Sequence, residues 1–190
     1  MFKLKSISVV LLSALFVLFF ASCKDDVLPK PSSYLRLDYP EAEYVNFENK
    51  VSPFAFEMNS EAIIKGEKNL GFTILYPKMK ATIYLTYKPV NNDINKLLRD
   101  AQKLTFEHVI KADDIVEQPY LNPSKKVFGM FYKVDGNAAT NSQFYVTDSI
   151  KHFVTGSVYF YAKPNFDSIM PAASYLRNDM QRLMETLRWK

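Results

Sequence analysis

The sequence predicts an α+β domain in which an antiparallel β-sheet of about six strands is packed by two amphipathic helices. Three observations support this prediction. Several segments alternate apolar and polar residues with a period of two, which is typical of strands. Two other segments place apolar residues three and four positions apart, which is typical of helices. The links between the later strand segments are too short for a parallel crossover, so they indicate antiparallel pairing.

The first 22 residues are predicted to be an export signal. Lys3 and Lys5 precede an apolar run over residues 7–20, and Ala21-Ser22 lead to Cys23, the single cysteine of the chain. Basic, apolar and small residues in this order are typical of a signal peptide. The run is shorter than the about 20 residues that a membrane-spanning helix needs. The pattern therefore predicts lipoprotein processing, with cleavage before Cys23 and acylation of its thiol.

Residues 23–33 are predicted to form an acylated N-terminus and a tether. The stretch is polar and contains two prolines, which keep a chain extended and oppose a helix. Three charged residues follow the cysteine at once, as a candidate sorting signal or simply a solvated charge cluster: Lys24, Asp25 and Asp26. The remaining residues, 34–190, are predicted to form a single domain.

The charge balance gives no case for a nucleic-acid partner. The whole chain has a formal net charge of +4, and loss of Lys3 and Lys5 with the signal lowers it to +2. The part that remains is long enough to bury a core in one domain. Because it holds no second cysteine, that core has no disulfide.

In the first half of the domain, alternation predicts strands at residues 35–39 and 54–58. Residues 72–76 and 81–87 predict a hairpin, because both are rich in β-branched and aromatic residues and Pro77 begins a turn between them. Asn91-Asn92-Asp93 offers capping side chains for a helix over residues 93–111. Its apolar positions are Ile94, Leu97, Leu98, Ala101, Leu104 and His108.

In the second half, Asp113-Asp114 and two prolines predict a loop up to residue 123. Three strands are predicted after it, at residues 127–135, 143–148 and 151–161. Their links, Gly136-Asn137 and Asp148-Ser149, favour an antiparallel meander. A C-terminal helix follows, with Pro171 in its first turn. Its apolar face consists of Ile169, Ala172, Ala173, Leu176, Met180, Leu183 and Leu187.

The sequence predicts no catalytic residue, no metal site and no cofactor. The five glycines are not clustered, so no phosphate-binding loop is present. His108 and His152 lie in no metal-binding spacing. Ser149 is near His152 along the chain, but adjacency on a strand does not align a nucleophile with its base. A hydrolase would need a histidine to meet a serine and a carboxylate in a cleft. We therefore expect a protein that is not an enzyme.

Aromatic side chains are abundant, with 15 phenylalanines and 12 tyrosines. Most of them fall at alternate positions of predicted strands, where the simplest interpretation is a packed sheet core. The alternative is a partner-binding face, because tyrosine provides contact area at a low entropic cost. The candidates for such a face are Tyr84, Tyr132, Tyr145 and Tyr159.

Several segments, taken in order along the domain, carry a family resemblance. They are residues 34–40 (YLRLDYP), 81–89 (ATIYLTYKP), 107–113 (EHVIKAD), 135–139 (DGNAA), 147–153 (TDSIKHF) and 185–190 (ETLRWK). Together with the lipoprotein start, they resemble the gliding-motility lipoprotein GldD family of Bacteroidota. The charged run after Cys23 also resembles the surface-export signals of lipoproteins from that phylum. The order of strands and helices is similar to the PsbP and Mog1 sandwich, an analogy in fold alone.

The resemblance implies an envelope lipoprotein that is required for gliding motility and the associated type IX protein secretion. It brings no catalytic residue with it. The implied mechanism is association with other gliding and secretion machinery proteins, while the acylated Cys23 holds the chain on the membrane. We expect the protein to lie at the outer membrane, on either its periplasmic or its outer face.

The predicted partner surface lies on one sheet face and the loops around Asn137 and Asp148. Its candidate residues are Asn137, Asp148, Lys151, His152 and Tyr159. The alternative function is a binding module for a small hydrophobic or envelope-derived ligand. A deep apolar pocket would favour that alternative, whereas a filled interior with an exposed aromatic patch would favour association.

Overall fold

Two antiparallel sheets and two α-helices make up the part of the chain that this computed structural model describes, residues 37–68, 70–107, 111–161 and 166–190. The helices are α1 (Ile94–Phe106) and α2 (Phe166–Thr186). The strands are β1 (Tyr44–Phe47), β2 (Phe54–Asn59), β3 (Ile63–Lys68), β4 (Gly71–Tyr76), β5 (Ala81–Pro89), β6 (Ala112–Asn122), β7 (Val127–Gly136), β8 (Thr140–Thr147), β9 (His152–Phe160) and β10 (Arg188–Trp189).

The larger sheet has seven strands in the order β3-β4-β5-β9-β8-β7-β6, and every neighbouring pair is antiparallel. The predicted hairpin is confirmed as β4 and β5, with a short 3₁₀ turn between them. The predicted meander is confirmed as β7, β8 and β9. The long pairing of β5 with β9, from Ala81 opposite Phe160 to Pro89 opposite His152, joins the two halves of the chain.

The core lies between one face of this sheet and a second layer formed by α2 and the small sheet β1-β2-β10. Phe54 and Phe56 of β2 are fully buried in it. Six predicted apolar positions of the C-terminal helix segment are also buried: Ala172, Ala173, Leu176, Met180, Leu183 and Leu187. The α+β class is therefore confirmed, and burial of large side chains on both layers is the main stabilising term.

Two predictions about strands were wrong. The described part of 35–39 has no regular structure, and the first strand is β1, further along the chain. The predicted loop before residue 123 is largely β6, an eleven-residue edge strand that pairs with β7. Asp113, Asp114 and Pro119 suit an edge, because charges and a missing N–H discourage further strands from pairing there.

Both helices differ from their predicted bounds. Helix α1 ends at Phe106 rather than at residue 111, and only Leu97 and Thr105 are buried. Pro171 lies inside α2, beyond its first turn. His108 lies outside the described residues. Within the described ranges, no helix is both long enough and apolar enough to cross a membrane.

Candidate functional site: a tyrosine-bearing face of the sheet

Strand register places the four candidate tyrosines on the sheet face opposite the core. Tyr84 is paired with Ser157, which is paired in turn with Gln143, and Gln143 is paired with Tyr132. Tyr145 and Tyr159 lie two residues along their strands from members of this row, so they share its face. We call the surface that carries Tyr84, Tyr132, Tyr145 and Tyr159 the tyrosine face. The structure thus brings together residues that the sequence predicted separately.

Helix α1 covers part of the tyrosine face. Thr105 Oγ1 donates a hydrogen bond of 2.8 Å to Gln143 Oε1, and the Phe106 ring meets the Tyr132 ring edge to face with centroids 6.4 Å apart. Tyr132 is 1% exposed as a result. Burial raises the pKa of Tyr132 to about 12. Tyr132 is therefore part of a second, smaller core and is not accessible to a partner.

The uncovered part of the face is a groove above β4 and β5. Tyr84 is 41% exposed here and Tyr161, just after β9, is 61% exposed. The Tyr84 and Tyr159 rings pack edge to face with centroids 5.8 Å apart. The groove has a volume of about 690 Å³, and its lining residues are Lys65, Gly71, Phe72, Thr73, Tyr84, Leu85 and Thr86. We call this volume, with Tyr159 and Tyr161 beside it, the open groove.

Hydroxyl groups at the open groove are linked by hydrogen bonds. Thr82 Oγ1 donates to Tyr161 Oη at 2.9 Å, and Tyr84 Oη lies 3.2 Å from the same oxygen. The hydrogen bonds with Thr82 and Tyr84 lower the pKa of Tyr161, with a further contribution from Lys65, and the contact between the two tyrosines raises the pKa of Tyr84. The groove thus offers aromatic rings and hydrogen-bonded hydroxyls to whatever binds it.

Three predicted partner residues lie together at the β8–β9 loop, Asp148 and Lys151 within it and His152 at the start of β9. Asp148 Oδ1 accepts the backbone N–H groups of Ile150, Lys151 and His152 at 3.0, 2.8 and 2.8 Å. Partial burial alone would raise the pKa of Asp148, but these N–H donors outweigh it and hold the pKa below its ordinary value. The loop is therefore tied down by its own carboxylate.

His152 is held by two aromatic side chains. Its ring stacks on Trp189 with centroids 5.1 Å apart and an interplanar angle of 16°. Its Nδ1 lies 2.9 Å from Tyr87 Oη. The observed partner of this histidine is thus a tyrosine rather than the serine that a hydrolase would require. Sequence reasoning did not find Trp189, because β10 has two residues and pairs with a strand about 130 residues away.

The remaining predicted residues lie elsewhere. Asn137 follows β7 and precedes β8, whereas Asp148 follows β8, so the two loops lie at opposite ends of an eight-residue strand, roughly 25 Å apart. Tyr159 is on the tyrosine face. The structure brings together Asp148, Lys151 and His152 and separates them from Asn137. Cys23, Lys24, Asp25 and Asp26 lie outside the described residues.

A buried carboxylate, Asp179 of α2, was also missed by sequence reasoning. It is almost fully buried and accepts hydrogen bonds from Tyr44 Oη at 2.7 Å and from Asn59 Nδ2 at 2.9 Å. Burial raises its pKa. Only its spacing, three residues after Leu176 on the apolar face of the helix, signals its position. It links α2 to the small sheet.

The cavity near Asp179 is too small to enclose a typical ligand. An apolar cavity of about 40 Å³ lies at Tyr39, Pro40, Glu61, Tyr76, Pro77, Lys78, Met79 and Tyr175. That volume holds a few water molecules, whereas ligand sites typically measure about 300 to 1,000 Å³. Among the residues with described positions, no group of three His, Cys, Asp or Glu side chains is arranged to hold a metal ion.

Comparison with known families decides the identity. The family model described as gliding motility lipoprotein GldD matches residues 24–189. The chain belongs to the GldD family. As a GldD lipoprotein, it is a lipid-anchored protein of the cell envelope with a part in gliding motility. The GldD match begins at the residue after Cys23 and includes nearly all of the described domain. The chain matches no curated protein and no solved structure.

Proposed function

We propose that the acylated thiol of Cys23 holds this protein at the outer membrane, and that the domain acts there without catalysis. Its role is to bind other proteins of the gliding machinery and of the associated type IX secretion system. The family match over residues 24–189 supports the place in gliding. The arrangement of basic, apolar and small residues before Cys23 supports the anchor.

The open groove is the observation that carries the mechanism. Tyr84 and Tyr161 expose large rings and linked hydroxyls on a rigid sheet, with Lys65 beside them. Tyrosine loses little conformational entropy on binding and provides both apolar area and hydrogen bonds, which is why it is enriched in protein interfaces. A groove of this composition fits a protein partner.

The packing of the interior supports a protein partner over a small ligand. The apolar cavity near Tyr76 and Tyr175 has a volume of about 40 Å³, which is too small for a hydrophobic ligand. The larger volume, at the open groove, lies on the surface of the sheet. An open surface of that kind suits a protein that lies across it.

Anchoring makes a modest interface sufficient. Lipid attachment confines the domain and its partners to one layer, which raises their effective concentration without any new contact. An interface centred on a few tyrosines can therefore be occupied even when its affinity in solution is weak.

A photoreactive amino acid at position 84 in gliding cells tests the proposal. We expect it to cross-link the protein to a component of the gliding or secretion machinery, identified by mass spectrometry. The matched control is the same amino acid at Val45, an exposed position on the small sheet. Equal labelling from positions 84 and 45, or cross-links from position 84 to lipid alone, would contradict the proposal.

A further inference from the structure

Three loops meet around Trp189 at one end of the domain. The indole Nε1–H donates to the backbone oxygen of Lys126 at 2.9 Å, and the indole ring stacks on His152. The Trp189 backbone pairs with Phe54. These contacts bring together the loops at residues 48–53, 123–126 and 148–151. We call this end of the domain the basic end.

Exposed lysines are the common feature of these loops, and in two of them an exposed apolar residue adjoins the lysine. Lys50 adjoins Val51, which is 64% exposed, and Lys151 adjoins Ile150, which is 71% exposed. The third loop carries two adjacent exposed lysines, Lys125 and Lys126. None of the four lysines forms an ion pair with a carboxylate of the described residues.

The acidic groups at this end are fewer than the basic ones, and two of them make other contacts. Glu48 pairs with Arg188 at 3.3 Å and with Lys190 at 3.5 Å. The carboxylate of Asp148 accepts three backbone N–H groups. Neutral N–H groups do not cancel the charge of Asp148, but the four loop lysines outnumber Asp148 and Glu185, so the basic end has a net positive charge and attracts anions.

The exposure of Ile150 is a fixed feature of the fold. Asp148 holds the backbone on both sides of Ile150, and Thr147 Oγ1 donates to the His152 oxygen at 2.6 Å. A loop constrained in this way cannot turn the isoleucine inward. An apolar side chain held in water loses the free energy that its burial would bring. Its position at a basic loop tip therefore indicates a surface that can receive it.

We propose that the basic end binds the surface of an anionic phospholipid bilayer, with Ile150 and Val51 entering the headgroup region. Lysines near such a surface are attracted to its negative potential, and apolar tips gain from leaving water. The family assignment places the protein on a membrane, so this second contact forms at a high effective concentration. The inference does not depend on any partner at the open groove.

This contact would orient the domain. The loops of the basic end lie at the ends of β7, β8 and β9, so these strands would stand on the bilayer. The open groove lies on a face of the same sheet and would point sideways, parallel to the membrane, where another envelope protein can reach it.

Co-sedimentation with vesicles tests the binding. The mature chain is prepared with Cys23→Ala, so that no acyl chain contributes. We expect it to sediment with vesicles of equal parts phosphatidylglycerol and phosphatidylcholine, and not with phosphatidylcholine alone. Binding should weaken from about 0.1 M to about 1 M salt, because the Debye length falls from about 10 Å to about 3 Å. Equal sedimentation with both vesicles, or with neither, would overturn the proposal.

Two double charge reversals distinguish binding through the basic end from attraction by the net charge of the protein. Lys125→Glu with Lys151→Glu should weaken vesicle binding at least about 25-fold, since each lost lysine accounts for about fivefold. Lys80→Glu with Lys111→Glu makes the same change in net charge at exposed positions away from this end, and should leave binding nearly unchanged. Equal weakening by both pairs would show that net charge alone attracts the protein, and would refute a specific end.

The position of Ile150 can be read by fluorescence. With Cys23→Ala in place, Ile150→Cys introduces the single thiol of the chain, which takes an environment-sensitive dye. We expect a blue shift with anionic vesicles at position 150 and none for Val45→Cys. No shift at position 150 overturns the proposal. Displacement from vesicles by inorganic phosphate at constant ionic strength would also overturn it, because it would indicate a site for free phosphate.

Discussion

Tyr84 contributes to the open groove through its ring and its hydroxyl. Its ring packs against Tyr159, and its hydroxyl bonds to Tyr161. A tyrosine at the centre of an interface typically accounts for about 2 kcal/mol or more when truncated. We expect Tyr84→Ala to weaken partner binding about 30-fold and to impair gliding, and Tyr84→Phe to have a smaller effect. The same truncation at an exposed residue on edge strand β6, Leu121→Ala, is the control. If the two alanine variants glide equally well, Tyr84 is not in an interface.

Asp148 should stabilise the fold at neutral pH and lose that effect in acid. The pKa of Asp148 is lower in the folded protein than its ordinary value of 3.8. Its contribution is therefore complete above the unfolded pKa and disappears as the pH falls through the folded pKa. We expect Asp148→Asn to lower the free energy of unfolding by about 1 kcal/mol at neutral pH. Urea denaturation of both proteins at neutral and acidic pH measures this difference in the free energy of unfolding. A difference that does not shrink in acid would contradict the prediction.

Asp179 should show the opposite pH dependence. Burial raises its folded pKa above the ordinary value of 3.8, so the folded state retains the proton that the unfolded state releases. The protein therefore loses stability as the pH rises from the unfolded pKa through the folded pKa of Asp179. We expect the stability of the unmodified protein relative to Asp179→Asn to decline over that range. A relative stability that increases with pH would mean that hydrogen bonds from Tyr44 and Asn59 outweigh burial.

The two helices differ in how firmly they are attached. Helix α2 buries a continuous apolar stripe in the main core, whereas α1 buries Leu97 and Thr105 alone. Because few apolar groups fix α1, local opening of this helix should cost less free energy than global unfolding.

Thr105→Val tests the attachment of α1. It removes the hydrogen bond to Gln143 and leaves that buried amide without its donor, which should cost about 2 kcal/mol. We expect faster amide hydrogen exchange throughout α1 and unchanged exchange in α2. Thr86→Val, at an exposed threonine of β5, is the control for loss of a hydroxyl. Uniformly faster exchange in both helices would show that α1 does not open separately.

Elements with a strong local pattern were predictable from the sequence, and elements defined by distant pairing were not. β4 and β5 follow from the β-branched and aromatic residues on both sides of Pro77. The sequence of β6 predicts a loop instead of a strand, because the charges and proline that protect an edge strand also occur in loops. Strands β1 and β10 are stabilised by pairing with β2, and no local pattern marks that contact.

The candidate site, like the fold, was predictable from the sequence only where a local pattern determines it. Strand parity predicts that Tyr84 and Tyr159 share a face, because alternation fixes the side on which each residue lies. It does not predict that α1 covers Tyr132, or that Trp189 stacks on His152. Those contacts depend on how the layers pack, which is decided by residues far apart in the sequence.

For the whole molecule, we propose two separate binding surfaces, the open groove and the basic end. The groove offers rings and hydroxyls on the flat of the sheet, and the basic end offers lysines and apolar tips where strands end. Substitutions at one surface should leave the other intact, because sites without shared contacts usually act additively. If Lys125→Glu with Lys151→Glu abolishes both vesicle binding and partner binding at the open groove, the two surfaces form one site.

The anchor should matter to location and not to folding. Cys23 precedes the described domain, whose core is formed by residues from Phe54 onward. We expect Cys23→Ala, exported by a signal that needs no thiol, to leave the membrane fraction and to stop gliding, while the midpoint of thermal unfolding stays the same. Removing the acyl chains removes the confinement that makes weak contacts sufficient. Asp25→Ala with Asp26→Ala keeps the thiol and is the control: it should stay in the membrane fraction, and protease shaving should report whether its exposed face changes. Full gliding by the exported, unacylated variant would show that binding at the open groove is strong enough without the membrane.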